Sequence, residues 1–211
     1  MDTENTDTET LDTEASPDAA ASLPDFESAA RHVAELLDGI GDQQLKDPTP
    51  CPDYAVRELI AHLVGLTAGF RDAAGKVPGP NTDTTPDAAR PELIPDWRTV
   101  LPRQLDELVA AWHAPEAWEG ITRVGGVTLP GGVAGRVGLN ELVIHGWDLA
   151  RSTGQDYAAD PASLGVSYGL LEPADALGRG TIFGPPVAVP DDAPFLDRVI
   201  GLSGRDPQWT P

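Results

Sequence analysis

Apolar residues recur at helical spacing in four segments of this 211-residue chain, and this periodicity constrains the fold most. An apolar side chain at every third or fourth position gives a helix one face that must be buried. We expect helices over about 26–37, 54–74, 96–113 and 133–152, each ending near glycine, proline or polar residues. Asp53, in the turn TPCPDY, is the expected N-cap of the second helix.

The remaining segments predict little regular structure. The glycine-rich stretch 120–132 alternates apolar and polar residues, which fits either a short hairpin or an extended crossover. Residues 161–177 have a partly helical pattern, and residues 195–204 predict a last short helix. We therefore expect an all-α fold: an antiparallel four-helix bundle with a long crossover between helices three and four and a short C-terminal helical extension.

The charge distribution separates the chain into two parts. Residues 1–22 are rich in Thr, Asp and Glu and predict a disordered acidic tail, whereas 23–211 form the expected folded domain. The formal net charge of −20 repels phosphate backbones, so nucleic acid is not an expected partner. No apolar run reaches the roughly 20 residues of a membrane span. A single cysteine, Cys51, and the lack of a basic secretory leader favour a cytoplasmic location.

Two of the expected helices carry residues that can bind a metal. Glu141 and His145 are four residues apart, so they share one face of a helix, and His62 lies among apolar residues of another helix. Because glutamate is seldom buried without a partner, an inward-facing Glu141 indicates a cation. The three side chains therefore predict a divalent-metal site. The alternatives are core histidines hydrogen-bonded to neighbours and a Glu–His pair at the helix surface.

Three stretches resemble one family. PTPCPDYAVRELIAHLVG at 48–65, ELVIHGWDLARSTGQ at 141–155 and GRDPQW at 204–209 resemble DinB-like metal-binding proteins related to the N-terminal domain of mycothiol-dependent maleylpyruvate isomerase. The resemblance extends over about residues 25–211. It implies a four-helix bundle with a divalent metal held by a histidine of helix two and a Glu-x-x-x-His pair of helix four. These positions are His62, Glu141 and His145.

The resemblance also implies a chemistry. Three protein ligands leave one coordination position open, where a thiol can bind and lose its proton. The resemblance implies mycothiol as the thiol co-substrate and a small electrophile as the second substrate. The implied reaction is thiol transfer or isomerisation, and metal-assisted hydrolysis fits the same geometry. We expect Zn²⁺, although two histidines and a glutamate also suit nickel, iron or manganese. No catalytic residue beyond the ligands is assigned.

Two rival interpretations remain open: a metal-binding regulatory or interaction module without catalysis, and a structural bundle without metal. By the resemblance, the isomerase looks two-domain, and the roughly 60 residues that follow His145 here are too few for such a second domain, so maleylpyruvate isomerisation itself is not inferred. Asp148 either orients a ligand imidazole or pairs with Arg151 at the surface. Cys51 is interpreted as a turn residue rather than a reactive thiol. The oligomeric state is open, with a homodimer as one option.

Overall fold

The computed structural model describes residues 23–52, 54–85, 92–173 and 184–211, and within them the fold is mostly helical. The predicted acidic tail 1–22 and the predicted cap Asp53 lie outside the described residues. The described elements are α1 (Glu27–Asp38), α2 (Val56–Ala74), α3 (Pro80–Asp83), α4 (Trp97–Trp112), β1 (Ile121–Val124), β2 (Val127–Pro130), α5 (Gly131–Thr153), α6 (Pro161–Leu171) and α7 (Phe195–Leu202). Short 3₁₀ turns precede α2 (Asp42–Lys46) and β1 (Pro115–Trp118).

Helix ends follow local chemistry. At the start of α2, the Glu58 carboxylate accepts the backbone N–H of Ala55 at 3.1 Å, which satisfies a donor that the helix leaves unpaired. At the end of α5, Gly154 adopts φ 70°, the left-handed conformation in which a glycine commonly ends a helix. Pro102 lies inside α4, which nevertheless runs unbroken from Trp97 to Trp112.

The core lies among the four long helices. α1 and α2 each pack against both α4 and α5, which brings the apolar faces of all four together. An aromatic group closes one part of this core: Phe26 stacks on Trp112 with ring centroids 5.6 Å apart, and the Trp112 indole N–H donates to the Phe70 carbonyl at 3.1 Å. Satisfying that N–H lets the large ring be buried without an orphaned donor.

The stretch between α4 and α5 contains the hairpin β1–β2, which is the departure from an all-α chain. The strands are antiparallel, with Val124 opposite Val127. The two-residue turn between them has positive φ at both glycines, 61° at Gly125 and 74° at Gly126, as the type I′ turn of a tight hairpin requires. The Thr122 hydroxyl donates to the Ala73 carbonyl at 2.6 Å and ties the hairpin to the end of α2.

The C-terminal elements add to the α5 side of the molecule. α6 packs against α5, and α7 packs against α6. The predicted partly helical segment 161–177 is helical over Pro161–Leu171, and 174–177 lie outside the described residues. Across the described ranges, none of the helices is both long enough and apolar enough to cross a bilayer.

Candidate metal centre

The structure brings together the three residues that the sequence predicts as ligands. His62 comes from α2, and Glu141 and His145 come from α5. The Glu141 Oε2 atom lies 3.4 Å from His62 Nε2 and 3.2 Å from His145 Nε2. The two imidazole rings meet nearly edge to face, with centroids 4.9 Å apart. One carboxylate oxygen therefore sits between two ring nitrogens.

Helix geometry and packing produce this convergence. The spacing of four residues places Glu141 and His145 one turn apart on the same face of α5. α2 packs against α5. On α2, Leu59 lies about one turn before His62 and Leu63 directly follows it, and both leucines are fully buried. The apolar contacts that hold the two helices together therefore also fix the separation of the ligand atoms.

The centre is partly buried and opens on the His62 side. The exposed fractions of the side chains are 24% for His62, 15% for Glu141 and 9% for His145. Burial disfavours the Glu141 carboxylate, but hydrogen bonds from His145 and His62 outweigh it and hold the Glu141 pKa well below its ordinary value. Glu141 is thus an anion that needs positive charge beside it.

Asp148 holds the His145 ring from the opposite side. Its Oδ2 lies 2.9 Å from His145 Nδ1, and the Asp148 side chain is fully buried. Burial opposes the charged imidazole, yet the contacts with Asp148 and Glu141 dominate and raise the His145 pKa to about 9. Asp148 orients the ring, so its alternative role as a surface partner of Arg151 is wrong. Arg151 instead donates to the Trp209 carbonyl at 2.7 Å.

Arg205 is the residue of the centre that sequence reasoning missed. Its Nε and Nη2 atoms donate to Asp148 Oδ1 and Oδ2 at 3.3 and 3.1 Å. Burial raises the Asp148 pKa, but the Arg205 guanidinium and His145 outweigh burial and keep that pKa below its usual value. The sequence signal that could have pointed to Arg205 is the GRDPQW run in which it lies. That run has no periodicity that would link Arg205 to Asp148, 57 residues earlier.

The turn before α2 lies beside His62. The centroid of the Tyr54 ring lies 5.4 Å from that of the His62 ring. The backbone N–H of Tyr54 donates to the Cys51 carbonyl at 3.1 Å. The Thr49 hydroxyl also contacts that carbonyl at 2.9 Å. Cys51 lies half-buried in this turn, where the sequence predicts it. The turn therefore lies next to the most exposed of the three candidate ligands.

The donor set fits a divalent transition-metal ion. Two imidazole nitrogens and one carboxylate oxygen are typical ligands of such ions, and all three atoms lie within 4.8 Å of one another. In a tetrahedral site with bonds of about 2.1 Å, ligand atoms lie roughly 3.4 Å apart, close to the two separations seen here. Asp25, Glu27 and His113 form a second such group, but all three are exposed, so water competes for any ion there.

Comparisons with known proteins agree with this architecture. Two proteins named only as uncharacterized, from two strains of Mycobacterium tuberculosis, are each 28% identical over 177 residues, covering 82% of this chain and 91% of the relative. The crystal structure of the mycothiol-dependent maleylpyruvate isomerase shares the fold, with a TM-score of 0.52 and 16% identity over 69% of this chain and 66% of that chain.

The family model described as the mycothiol maleylpyruvate isomerase N-terminal domain matches residues 26–150, more than half of the chain and all three candidate ligands. The match to the isomerase structure is partial, because it extends over 66% of that chain and 69% of this one. By the family-model match, the chain belongs to the family of the mycothiol maleylpyruvate isomerase N-terminal domain.

Proposed function

We propose that this chain is a divalent-metal-binding protein that acts with a low-molecular-weight thiol, in a reaction of S-transferase or isomerase type. One observation carries the proposal: the Glu141 oxygen lies 3.4 and 3.2 Å from ring nitrogens of His62 and His145 in a partly buried opening. A buried carboxylate between two imidazoles is well suited to a cation, whereas a structural core gains little from such a group.

His62, Glu141 and His145 would hold the ion, and Zn²⁺ is the ion we expect, with Ni²⁺ as an alternative. When bound, the ion supplies a positive charge that favours ionisation of a thiol in contact with it. Asp148 accepts the His145 Nδ1–H and fixes the ring, and Glu141 offsets part of the charge. Substrates would approach on the side of His62 and Tyr54, because His62 is the most exposed ligand.

We propose mycothiol as the thiol co-substrate and a small electrophile as its partner. The support is membership of a family described by a mycothiol-dependent isomerase. Maleylpyruvate isomerisation is not part of the proposal, because the likeness to the isomerase structure, at 16% identity over 66% of that chain, shows the fold alone. A non-catalytic metal-binding module for regulation or interaction is the alternative, and it predicts metal without thiol-dependent turnover.

The finer architecture also belongs to the proposal. We infer that α1, α2, α4 and α5 form a DinB-like antiparallel four-helix bundle, crossed over by residues 113–130 and extended by α6 and α7. The support is that α1 and α2 each contact both α4 and α5. Residues 23–211 would then be one metal-binding domain preceded by an acidic tail. With a net charge of −20 and one cysteine, neither nucleic acid nor membrane is a proposed partner, and the proposed location is cytoplasmic.

The experiment is a thiol assay on untagged, metal-loaded protein. Mycothiol binding is measured by calorimetry, and turnover is measured with a panel of small electrophiles. We expect thiol binding in the parent protein and its loss in His62→Ala. Thiol binding with turnover supports the enzyme. Bound metal with no thiol binding contradicts it and favours the regulatory module.

A further inference from the structure

Arg205 enters the centre from outside the region that the family model matches. It follows α7 by three residues and reaches Asp148, which in turn contacts His145. We propose that Arg205 is a positioning residue of the metal centre, acting on the ligand His145 through the Asp148 carboxylate. This inference rests on the proposed metal site and extends it to the C-terminal segment of the chain.

The first step is the ion pair between Arg205 and Asp148. Both guanidinium contacts are made to one carboxylate, and the exposed fractions of the two side chains are only 12% and 0%. A charge at this depth is costly without a partner of opposite sign. Arg205 also fixes the carboxylate plane, because its rigid fork contacts both oxygens. Asp148 is thus held charged and in one orientation.

The second step is the effect of Asp148 on His145. An ionised carboxylate only accepts hydrogen bonds, so the 2.9 Å contact requires His145 Nδ1 to carry a proton and donate it. The ring then presents Nε2 toward Glu141, 3.2 Å away, on the side where the ligand atoms converge. Partners behind a ligand histidine set its tautomer and ring orientation in this way. Loss of Arg205 would leave Asp148 with weaker restraint.

The third step is how the chain delivers Arg205. After α7, Gly204 adopts φ 88°, and its Cα lies against the backbone of Gly184, where an added Cβ would meet Gly184 atoms at 3.1 Å. The Arg205 backbone N–H donates to the Ile200 carbonyl at 3.2 Å, and its Nη1 donates to the Ser203 carbonyl at 3.1 Å. This tight turn directs the guanidinium back toward α5.

The segment is attached to α5 at a second point, which provides a matched control. Arg151 donates to the Trp209 carbonyl at 2.7 Å and lies over the Trp147 ring at 5.8 Å. Both arginines therefore attach the C-terminal segment to the same helix, but of the two only Arg205 contacts Asp148 in the part of the chain that the structure describes. A purely structural role would make the two arginines equivalent for metal binding.

The test is a Zn²⁺ competition titration against a chromogenic chelator, with the full chain, comparing Arg205→Met and Arg151→Met. We expect Arg205→Met to weaken Zn²⁺ binding by roughly 10- to 100-fold, the usual effect of removing a partner behind a ligand. Arg151→Met should stay within about twofold of the parent protein, and Arg205→Lys should recover part of the loss because it restores charge without the fork. Equal affinity of Arg205→Met and the parent protein would overturn the inference.

A second readout separates this inference from the metal proposal. If the parent protein binds no Zn²⁺, the proposed metal site fails, and the positioning role is then judged on the metal-free protein by NMR of the His145 ring. A slowly exchanging Nδ1–H signal that persists in Arg151→Met and is lost in Arg205→Met supports positioning. A signal that survives in both variants overturns it. If Arg205→Met does not fold, the same two measurements are made on Arg205→Lys and Asp148→Asn. Unchanged Zn²⁺ binding and an unchanged His145 ring signal in these variants would again overturn the inference.

Discussion

At the residue scale, the centre is a balance of charges within a small volume. Glu141 and Asp148 bring two carboxylates against the same imidazole, one at each ring nitrogen of His145. Arg205 neutralises Asp148 from behind. A proton on His145 satisfies Glu141 in the metal-free protein, and a divalent ion would replace that proton. At the proposed site, ion and proton would therefore compete for one nitrogen.

This competition predicts a pH dependence of metal affinity. The His145 pKa is raised to about 9 by Asp148 and Glu141, against burial, so below that pH the ring must lose a proton before it can bind an ion. Zn²⁺ affinity should therefore rise by roughly tenfold per pH unit between neutral pH and about pH 9. The measurement is chelator competition at several pH values, corrected for chelator protonation. A flat profile over this range would contradict the raised pKa.

Substitution of Glu141 by glutamine separates charge from shape. Glu141→Gln keeps the size and one carbonyl oxygen but removes the anion between the two imidazoles. We expect Zn²⁺ affinity to fall by more than roughly 100-fold, beyond the effect of partners that do not touch the ion. The matched control is His113→Ala, an exposed residue of the second cluster, which should keep the affinity of the parent protein. A large loss of Zn²⁺ affinity in His113→Ala and none in Glu141→Gln would instead place the metal at the exposed group of Asp25, Glu27 and His113.

At the scale of elements, α5 organises the molecule, and its extent could be predicted closely from the sequence. The apolar period predicts 133–152 and the helix spans Gly131–Thr153. The same period places Glu141 and His145 on one face, since it depends only on helical geometry. The apolar pattern of α2 likewise predicts that His62 lies near the inward face of the helix, because Leu59 and Leu63 beside it are core residues.

Other features needed tertiary contacts that no local pattern contains. The choice between hairpin and crossover at 120–132 depends on a turn with two positive φ values and on the Thr122 bond to α2. The stretch is short and only half apolar, so periodicity alone fits both structures. Arg205 reaches Asp148 across 57 residues, a pairing set by the packing of α6 and α7 rather than by spacing.

The cap of α6 provides a test at this scale. Asp160 accepts the backbone N–H of Ser163 at 2.9 Å, and α6 packs on α5, the helix that carries Glu141 and His145. Asp160→Ala should lower the free energy of unfolding by about 1 kcal/mol, whereas Asp160→Asn keeps an accepting oxygen and should cost a few tenths. Urea denaturation followed by circular dichroism measures both. Equal stability of the alanine variant and the parent protein would argue against the cap.

The Asp160 cap should also depend on pH. Burial raises the Asp160 pKa, but hydrogen bonds from Ser163 and its neighbours outweigh it and lower that pKa below the ordinary 3.8. The carboxylate therefore contributes stability above pH 3.8, and the contribution disappears as pH falls through the lower folded-state value. The difference in unfolding free energy between the parent protein and Asp160→Asn should shrink over that acidic range. A constant difference would contradict the lowered pKa.

At the scale of the whole molecule, the charge is strongly acidic and unevenly placed. Residues 1–22 carry acidic side chains and no basic one, within a net charge of −20. The four long helices, with His62, Glu141 and His145, fall within 26–153. We therefore expect deletion of 1–22 to leave metal affinity unchanged and to shift the melting temperature by no more than a surface change does. Loss of metal on deletion would place the tail in the centre.

The central claim is that His62, Glu141 and His145 hold one divalent ion. It is tested most directly by elemental analysis of protein purified without an affinity tag, together with His62→Ala and Glu141→Ala. The account predicts about one divalent ion per folded chain in the parent protein and close to none in either variant, because each variant removes one of three ligands. Full metal content in both folded variants, or none in the parent protein after incubation with Zn²⁺, would contradict it.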